Sequence, residues 1–208
     1  MPGGTGRCMM RDERALVQQA LRGDEKAFAG LVAAFQGPVY NLCYRLLGTP
    51  MEAEEAAQEA FLRAYRRLHT YDSEQKLSSW ILAIAAHYCI DRLRRRRRLA
   101  SVPIDEAESP RPEGASQAPE ESLLQRERER EIQDLLARLP ESYRTVIVLR
   151  YWQDLSYEEM AEMLGTTESA IKSKLHRARE LLAANMREGR AIPTIERSER
   201  SVAGDGLR

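Results

Sequence analysis

The sequence predicts an all-α protein: two small helical domains joined by a flexible, acidic, proline-rich linker, the second a helix-turn-helix. Three observations carry this. Apolar residues recur at three- and four-residue intervals through 11–98 and again through 123–187, with no alternating, strand-like run and no internal repeat. Aromatic residues are only 6% of the chain, while Leu, Ala, Glu and Arg dominate, which favours helices. Between the periodic stretches, residues 99–122 hold four prolines, six acidic residues and one arginine, and almost no large apolar side chain. Such a segment cannot bury enough surface to fold alone.

Each element has a local reason. Residues 1–10 read as a disordered N-terminus. Asp24 is a candidate N-cap for a helix whose stripe is Phe28, Leu31, Val32 and Phe35. Gly37-Pro38 is expected to break or bend the path, and Leu42, Cys43, Leu46 and Leu47 carry the next stripe as far as Gly48. Thr49, Pro50 and Glu52 then form a start signal of cap, first-turn proline and acid three residues on. The helix that follows places Ala57, Ala60, Phe61, Ala64 and Leu68 on one face. After the turn-rich "TYDSEQK", a helix from about Leu77 carries Leu77, Ile81, Ile84 and Tyr88 into an arginine run.

In the second domain, Ile132, Leu135, Leu136 and Leu139 are the expected apolar face of a helix beginning in "RERERE". Pro140 starts a helix carrying Val146, Ile147 and Leu149, and "WQDL" turns the chain. Ser156 and Glu159 have capping-box spacing, Gly165 suits a left-handed C-terminal position, and Thr166 or Thr167 caps a last helix to about Met186. Two helices around a tight glycine turn, over about 157–176, make a helix-turn-helix. Residues 188–208 read as a disordered tail. Tethered only by the linker, the two domains are expected to move freely relative to each other.

Charge points to function. The formal net charge is zero, with 32 basic and 32 acidic residues, yet six arginines fall between Arg92 and Arg98. A helix C-terminus favours one or two cations, whereas six repel one another unless a polyanion neutralises them. Tyr71, Trp80, His87 and Tyr88 bring rings close to this basic run, the combination that stacks unpaired bases. On the last helix Ile171, Leu175, Ala178 and Leu182 share one side, and Ser169, Ser173, His176, Arg177 and Glu180 the other. Lys172 and Arg179 flank one edge and Lys174 the opposite edge, as a major-groove helix requires.

Other chemistry finds no constellation. Three cysteines without a C-x-x-C argue against a disulfide framework and fit a reducing cytosol; Cys43 and Cys89 read as core. No zinc spacing, glycine-rich phosphate loop or nucleophile elbow is present, so no metal, cofactor, small-molecule substrate or enzymatic activity is expected. No apolar stretch is long enough for a membrane span and no signal peptide is visible, so a soluble cytoplasmic protein is expected. From residues alone, a DNA-binding activator or repressor and a nucleic-acid enzyme stay open beside a polymerase-dependent factor.

Three segments together resemble the extracytoplasmic-function sigma factors of bacterial RNA polymerase. "EAEEAAQEAFLRAY" resembles their core-docking helix, and "SSWILAIAAHYCIDRLRRRRR" the helix that melts and holds the −10 element. "LPESYRTVIVLRYWQDLSYEEMAEMLGTTESAIKSKLHRARELL" resembles the −35-binding module. The resemblance implies that residues 11–98 are sigma region 2 and 123–187 region 4. It implies that Glu52, Glu54, Glu55, Gln58, Glu59, Phe61 and Tyr65 dock core RNA polymerase, at the clamp coiled coil of the largest subunit. Tyr71, Ser78, Trp80, His87, Asp91, Arg92, Arg94 and Arg95 would hold −10 DNA, and Ser169, Lys172, Ser173, Lys174, His176, Arg177 and Arg179 would read the −35 duplex. Implied partners are core polymerase (clamp and flap), promoter DNA and an anti-sigma protein, with the acidic linker threading toward the RNA exit path. His87 stands where the family often has asparagine, Glu55 where it often has aspartate, and Ala83 where a basic residue is frequent.

Overall fold

The computed structural model describes the backbone of residues 5–100 and 120–190, and side chains over 13–99 and 127–187. The expected linker and tail lie largely outside the described residues. Within them the chain is helical with no strand. The elements are α1 (Thr5–Leu21), α2 (Glu25–Leu47), α3 (Pro50–Arg67), a 3-10 turn (Leu68–Thr70), α4 (Leu77–Ala100), α5 (Glu120–Ala137), α6 (Glu141–Tyr151), α7 (Tyr157–Met163) and α8 (Glu168–Arg190). Helix α1 thus begins inside the segment expected to be disordered, α5 starts before residue 123, and α8 runs past Met186.

The local signals act as expected at most boundaries. Asp24 accepts from the amides of Lys26 and Ala27, and Thr49 from that of Glu52 with Pro50 at the first turn. Gly48 (φ 98°) and Gly165 (φ 59°) take left-handed conformations that a Cβ would disfavour. Ser156 and Glu159 close a reciprocal capping box, and the Thr167 hydroxyl accepts from the amide of Ala170.

Pro38 is different: α2 continues through it. Its ring removes the donor for the carbonyl of Ala34, but both residues lie on the exposed side, where the lost bond does not leave a polar group buried. The opposite side buries Leu31, Phe35, Val39, Leu42 and Leu46, and this packing holds the helix together.

Helices α2, α3 and α4 surround a core in which Ala53, Ala56, Ala60 and Ala64 of α3 let the neighbours approach closely. The buried face of α4 is Leu77, Ile81, Ala85, Cys89 and Leu93; Ile84 and Tyr88, expected there, are half-buried at its edge. Cys43 and Cys89 are fully buried beside each other. The neighbouring Cys43 thiol and burial push the Cys89 pKa far up, so it stays a neutral thiol. In the second unit α6, α7 and α8 pack around Met160, Ile171 and Leu175.

The two units are not free of one another. Helix α6 buries six consecutive residues, Arg144 to Leu149, because one side meets α8 and another meets α2. All these buried side chains form one continuous core cluster. Gln133 rather than Ile132 lies on the buried face of α5, since its amide donates to the carbonyls of Tyr44 (3.1 Å) and Arg45 (3.3 Å) at the end of α2.

Candidate functional site

Helix α3 turns one side inward and leaves the other as a stripe of acids and apolar groups. Met51, Glu54, Glu55, Gln58, Leu62 and Tyr65 are exposed and follow helical spacing along that side. Met51 is 65% exposed and Leu62 51%, unusual for large apolar side chains beside charges, and neither was singled out from sequence. Phe61 departs from the expectation. It is 9% exposed and belongs to the core, so it supports the stripe from beneath. Tyr65 packs edge-on against Phe28 at 4.9 Å, which fixes its ring. Glu59 pairs with Arg63 (2.8 Å), and the Arg63 guanidinium lies over the Tyr88 ring at 4.7 Å.

Glu52 and Glu55 face the arginine run. Arg92 bonds Glu55 at 2.9 Å and lies 3.4 Å from Glu52, and Arg96 reaches Glu52 at 3.7 Å. Two of the six arginines therefore staple α4 to α3. Leu93 is buried between them and fixes the helix rotation, so Arg94, Arg95 and Arg97 stand in solvent.

Trp80, His87, Asp91 and Arg94 follow one another along the outer side of α4, with Ala83 between the first two. Trp80 is half-buried against Tyr71 (ring centres 5.4 Å apart), and His87 is exposed. Tyr71 anchors the preceding loop by donating its hydroxyl proton to the Gln75 carbonyl (2.7 Å), and Ser78 sits half-buried in the first turn of α4. A cleft of about 250 Å³ lies between Arg63, Tyr88, Asp91, Arg92 and Arg95. Ring, carboxylate and guanidinium groups line it together.

Helix α8 keeps Ile171, Leu175 and Ala178 inward and exposes Ser169, Lys172, Ser173, His176, Arg177 and Arg179, with Lys174 half-buried. Two of its cations are pre-positioned. Lys172 bonds Glu168 (3.1 Å) and sits over the Tyr157 ring, and Arg179 Nε donates to the Tyr151 hydroxyl at 2.9 Å. His176 lies 3.4 Å from Glu180, one turn on. No cluster of His, Cys, Asp or Glu among the described residues could hold a metal, and no described helix is long and apolar enough to cross a membrane.

An exposed acidic-apolar stripe, a basic helix with rings and a helix-turn-helix thus coexist in one chain. Two family models match it: "Sigma-70 region 2" over residues 31–99 and "Sigma-70, region 4" over 129–182. The ECF RNA polymerase sigma factor SigW of Bacillus subtilis is 37% identical over 181 residues, spanning 83% of this chain and 95% of the relative. The chain belongs to the extracytoplasmic-function sigma factors. The sigma-E factor of Escherichia coli K12 is 32% identical over 176 residues, spanning 82% of this chain and 92% of that one. Among solved structures, CnrH in complex with the cytosolic domain of CnrY matches at a TM-score of 0.60 and 26% identity, covering 85% of this chain and 98% of CnrH. The sigma factor RpoE of Bartonella quintana, solved with the anti-sigma factor NepR, shares the fold at a TM-score of 0.60 and 19% identity, covering 78% of this chain and 98% of that one. As a sigma factor, this chain serves promoter-specific transcription initiation through its regions 2 and 4, the role of an initiation factor and not of a catalyst.

Proposed function

We propose that the exposed stripe of α3 docks the clamp of core RNA polymerase. Region 4 meets the flap, and only the docked chain presents α4 and α8 to a promoter. The observation that carries this reading is the separation of the faces: acids and apolar groups on the outside of α3, cations on the outsides of α4 and α8. Glu54, Glu55, Gln58, Leu62, Met51 and Tyr65 make the docking contact, and apolar groups rimmed by charge suit a protein partner. Glu52 and Glu59, paired within the chain and less exposed than Glu55, orient the arginines instead.

On α4, Trp80, His87 and Asp91 line the path of the unpaired −10 strand. Arg94 and Arg95 hold its phosphates, and Tyr71 and Ser78 shape the loop that receives an unstacked base. Arg92 adds its charge from its ion pair. On α8, Ser169, Ser173, His176 and Arg177 reach base edges of the −35 element, while Lys172, Lys174 and Arg179 bind flanking phosphates. CnrH was solved with the cytosolic domain of another protein. An anti-sigma protein, if it binds this chain, would cover the same surfaces and keep them from polymerase.

Run-off transcription with purified core enzyme on a randomised promoter library tests the reading. The chain is expected to select two spaced elements, and Arg177→Ala to relax selection at the upstream one alone. Loss of core binding in Arg177→Ala would contradict this division of roles.

A further inference from the structure

Asp91 stands where two faces of α4 meet. At 100° per residue it falls between the outer line of Trp80, His87 and Arg94 and the edge of Tyr88, Arg92 and Arg95. That edge forms one wall of the cleft of about 250 Å³, and Arg63 of α3 forms the other. The cleft lies wholly within region 2. It is smaller than the roughly 300–1,000 Å³ of cofactor pockets, and so suits one planar group.

Its walls are set in advance. Arg63 is held by Glu59 (2.8 Å) and lies over the Tyr88 ring at 4.7 Å, and Arg92 is held by Glu55 (2.9 Å). Neither of those acids lines the cleft, so both guanidiniums are fixed from outside it. A guanidinium backed by a ring is a platform on which an unpaired base stacks. Arg95, exposed at the rim, is placed for the phosphate of the same nucleotide. Asp91 is the one acid of the lining. Its side chain is 58% exposed and its ion pair with Arg94 is long, at 3.9 Å, which leaves the carboxylate open to a ligand.

The carboxylate decides which base fits. Ionised, it only accepts hydrogen bonds, through two oxygens side by side. Guanine alone among the four bases offers two adjacent donors on its pairing edge, N1–H and the N2 amino group. Adenine and cytosine each set a ring-nitrogen acceptor beside their amino group. The single N3–H of thymine lies between two carbonyls. Each of these three bases turns an acceptor toward a carboxylate oxygen, which costs more than a missing bond. In a strand that is already unpaired, turning one base out of the stack costs least.

We propose that this cleft receives one unpaired guanine of the −10 strand and that Asp91 selects it. The role of the cleft rests on the function proposed above and names the base taken at one position of that site.

The test has two steps. Selection from the randomised promoter library with core enzyme is expected to fix guanine at one −10 position, by about tenfold or more over each other base. Asp91→Ala is expected to lose that preference and to keep the upstream element. The selected promoter is then prepared with its −10 segment mismatched, so that strand separation plays no part. The guanine is replaced by hypoxanthine, which lacks the N2 amino group, or by 7-deazaguanine, which keeps the whole pairing edge. Affinity of the wild-type chain with core enzyme should fall about tenfold with hypoxanthine and stay unchanged with 7-deazaguanine. The Asp91→Ala complex should bind all three templates alike. An equal loss with hypoxanthine in Asp91→Ala overturns the proposal. So does a loss with 7-deazaguanine, the mark of an arginine reading N7. Selection of two elements with no guanine fixed at −10 overturns it while leaving the function intact. Selection of no element removes the function reading and the guanine pocket with it.

Discussion

Arg92 Nη1 lies 2.9 Å from Glu55 Oε2, so the first arginine of the basic run is held by an acid on the exposed face of α3. Arginines of one run therefore divide by role. Arg94→Ala with Arg95→Ala is expected to leave thermal stability unchanged. It should lower the slope of log affinity against log salt for promoter DNA by about 2. Arg92→Ala is expected to cost about 0.5–1 kcal/mol in urea unfolding, as for a partly exposed pair. A salt titration of polymerase-bound complexes and a denaturation curve separate the two.

Arg144 is a structural cation. Replacing it with Met removes the donors to three carbonyls and the cap on α2, and should destabilise the chain by about 2–4 kcal/mol. Arg144→Lys should restore only part of this, because an ammonium cannot span the same fork of acceptors. Equilibrium unfolding in urea measures both variants.

Tyr151 accepts the Arg179 Nε hydrogen at 2.9 Å and so orients the guanidinium proposed to bind phosphate. Tyr151→Phe removes that acceptor and keeps the ring. Promoter affinity of the polymerase-bound chain should fall about 2- to 6-fold, equivalent to about 0.5–1 kcal/mol, with core affinity unchanged. Fluorescence anisotropy on a −35 duplex and on core enzyme separates the effects.

Glu159 gives the contact between units a pH dependence. Its hydrogen bond from Lys76, then the Ser156 amide, hold its pKa below the ordinary glutamate value. The folded-state pKa is the lower one, so the contribution is complete above the ordinary glutamate range. It is lost as pH falls through the depressed value. Glu74, Glu162 and His87 face the same cleft as Glu159. Small-angle scattering from neutral pH downward should therefore show a steep loosening only in the acid range of carboxylates, and Glu159→Gln should remove that steep step.

The helices and their ends were legible in the sequence because caps, prolines and left-handed glycines act locally: Asp24, Thr49, Ser156 and Gly165 each mark a boundary that the structure keeps. Pro38 does not break α2, because tertiary packing on the far side of the helix outweighs one missing bond. The contact between units left a signal in "TVIVL", whose apolar residues surround α6 instead of forming a stripe, the mark of a helix covered on both sides. Gln133 and Arg144 gave none. A polar residue is buried for the sake of carbonyls on a distant helix end, and sequence spacing does not show which helix end will arrive. Phe61 and Leu62 are neighbours with opposite fates; a rotation of 100° per residue separates core from exposed surface, and only packing of α3 fixes it.

The central claim is that polymerase makes this chain competent for promoters. A mobility shift of one promoter duplex with chain alone, core alone and the two together tests it most directly. A sequence-specific, heparin-resistant complex is predicted only for the mixture. Tight, sequence-specific binding by the chain alone, unchanged by core enzyme, would contradict the account.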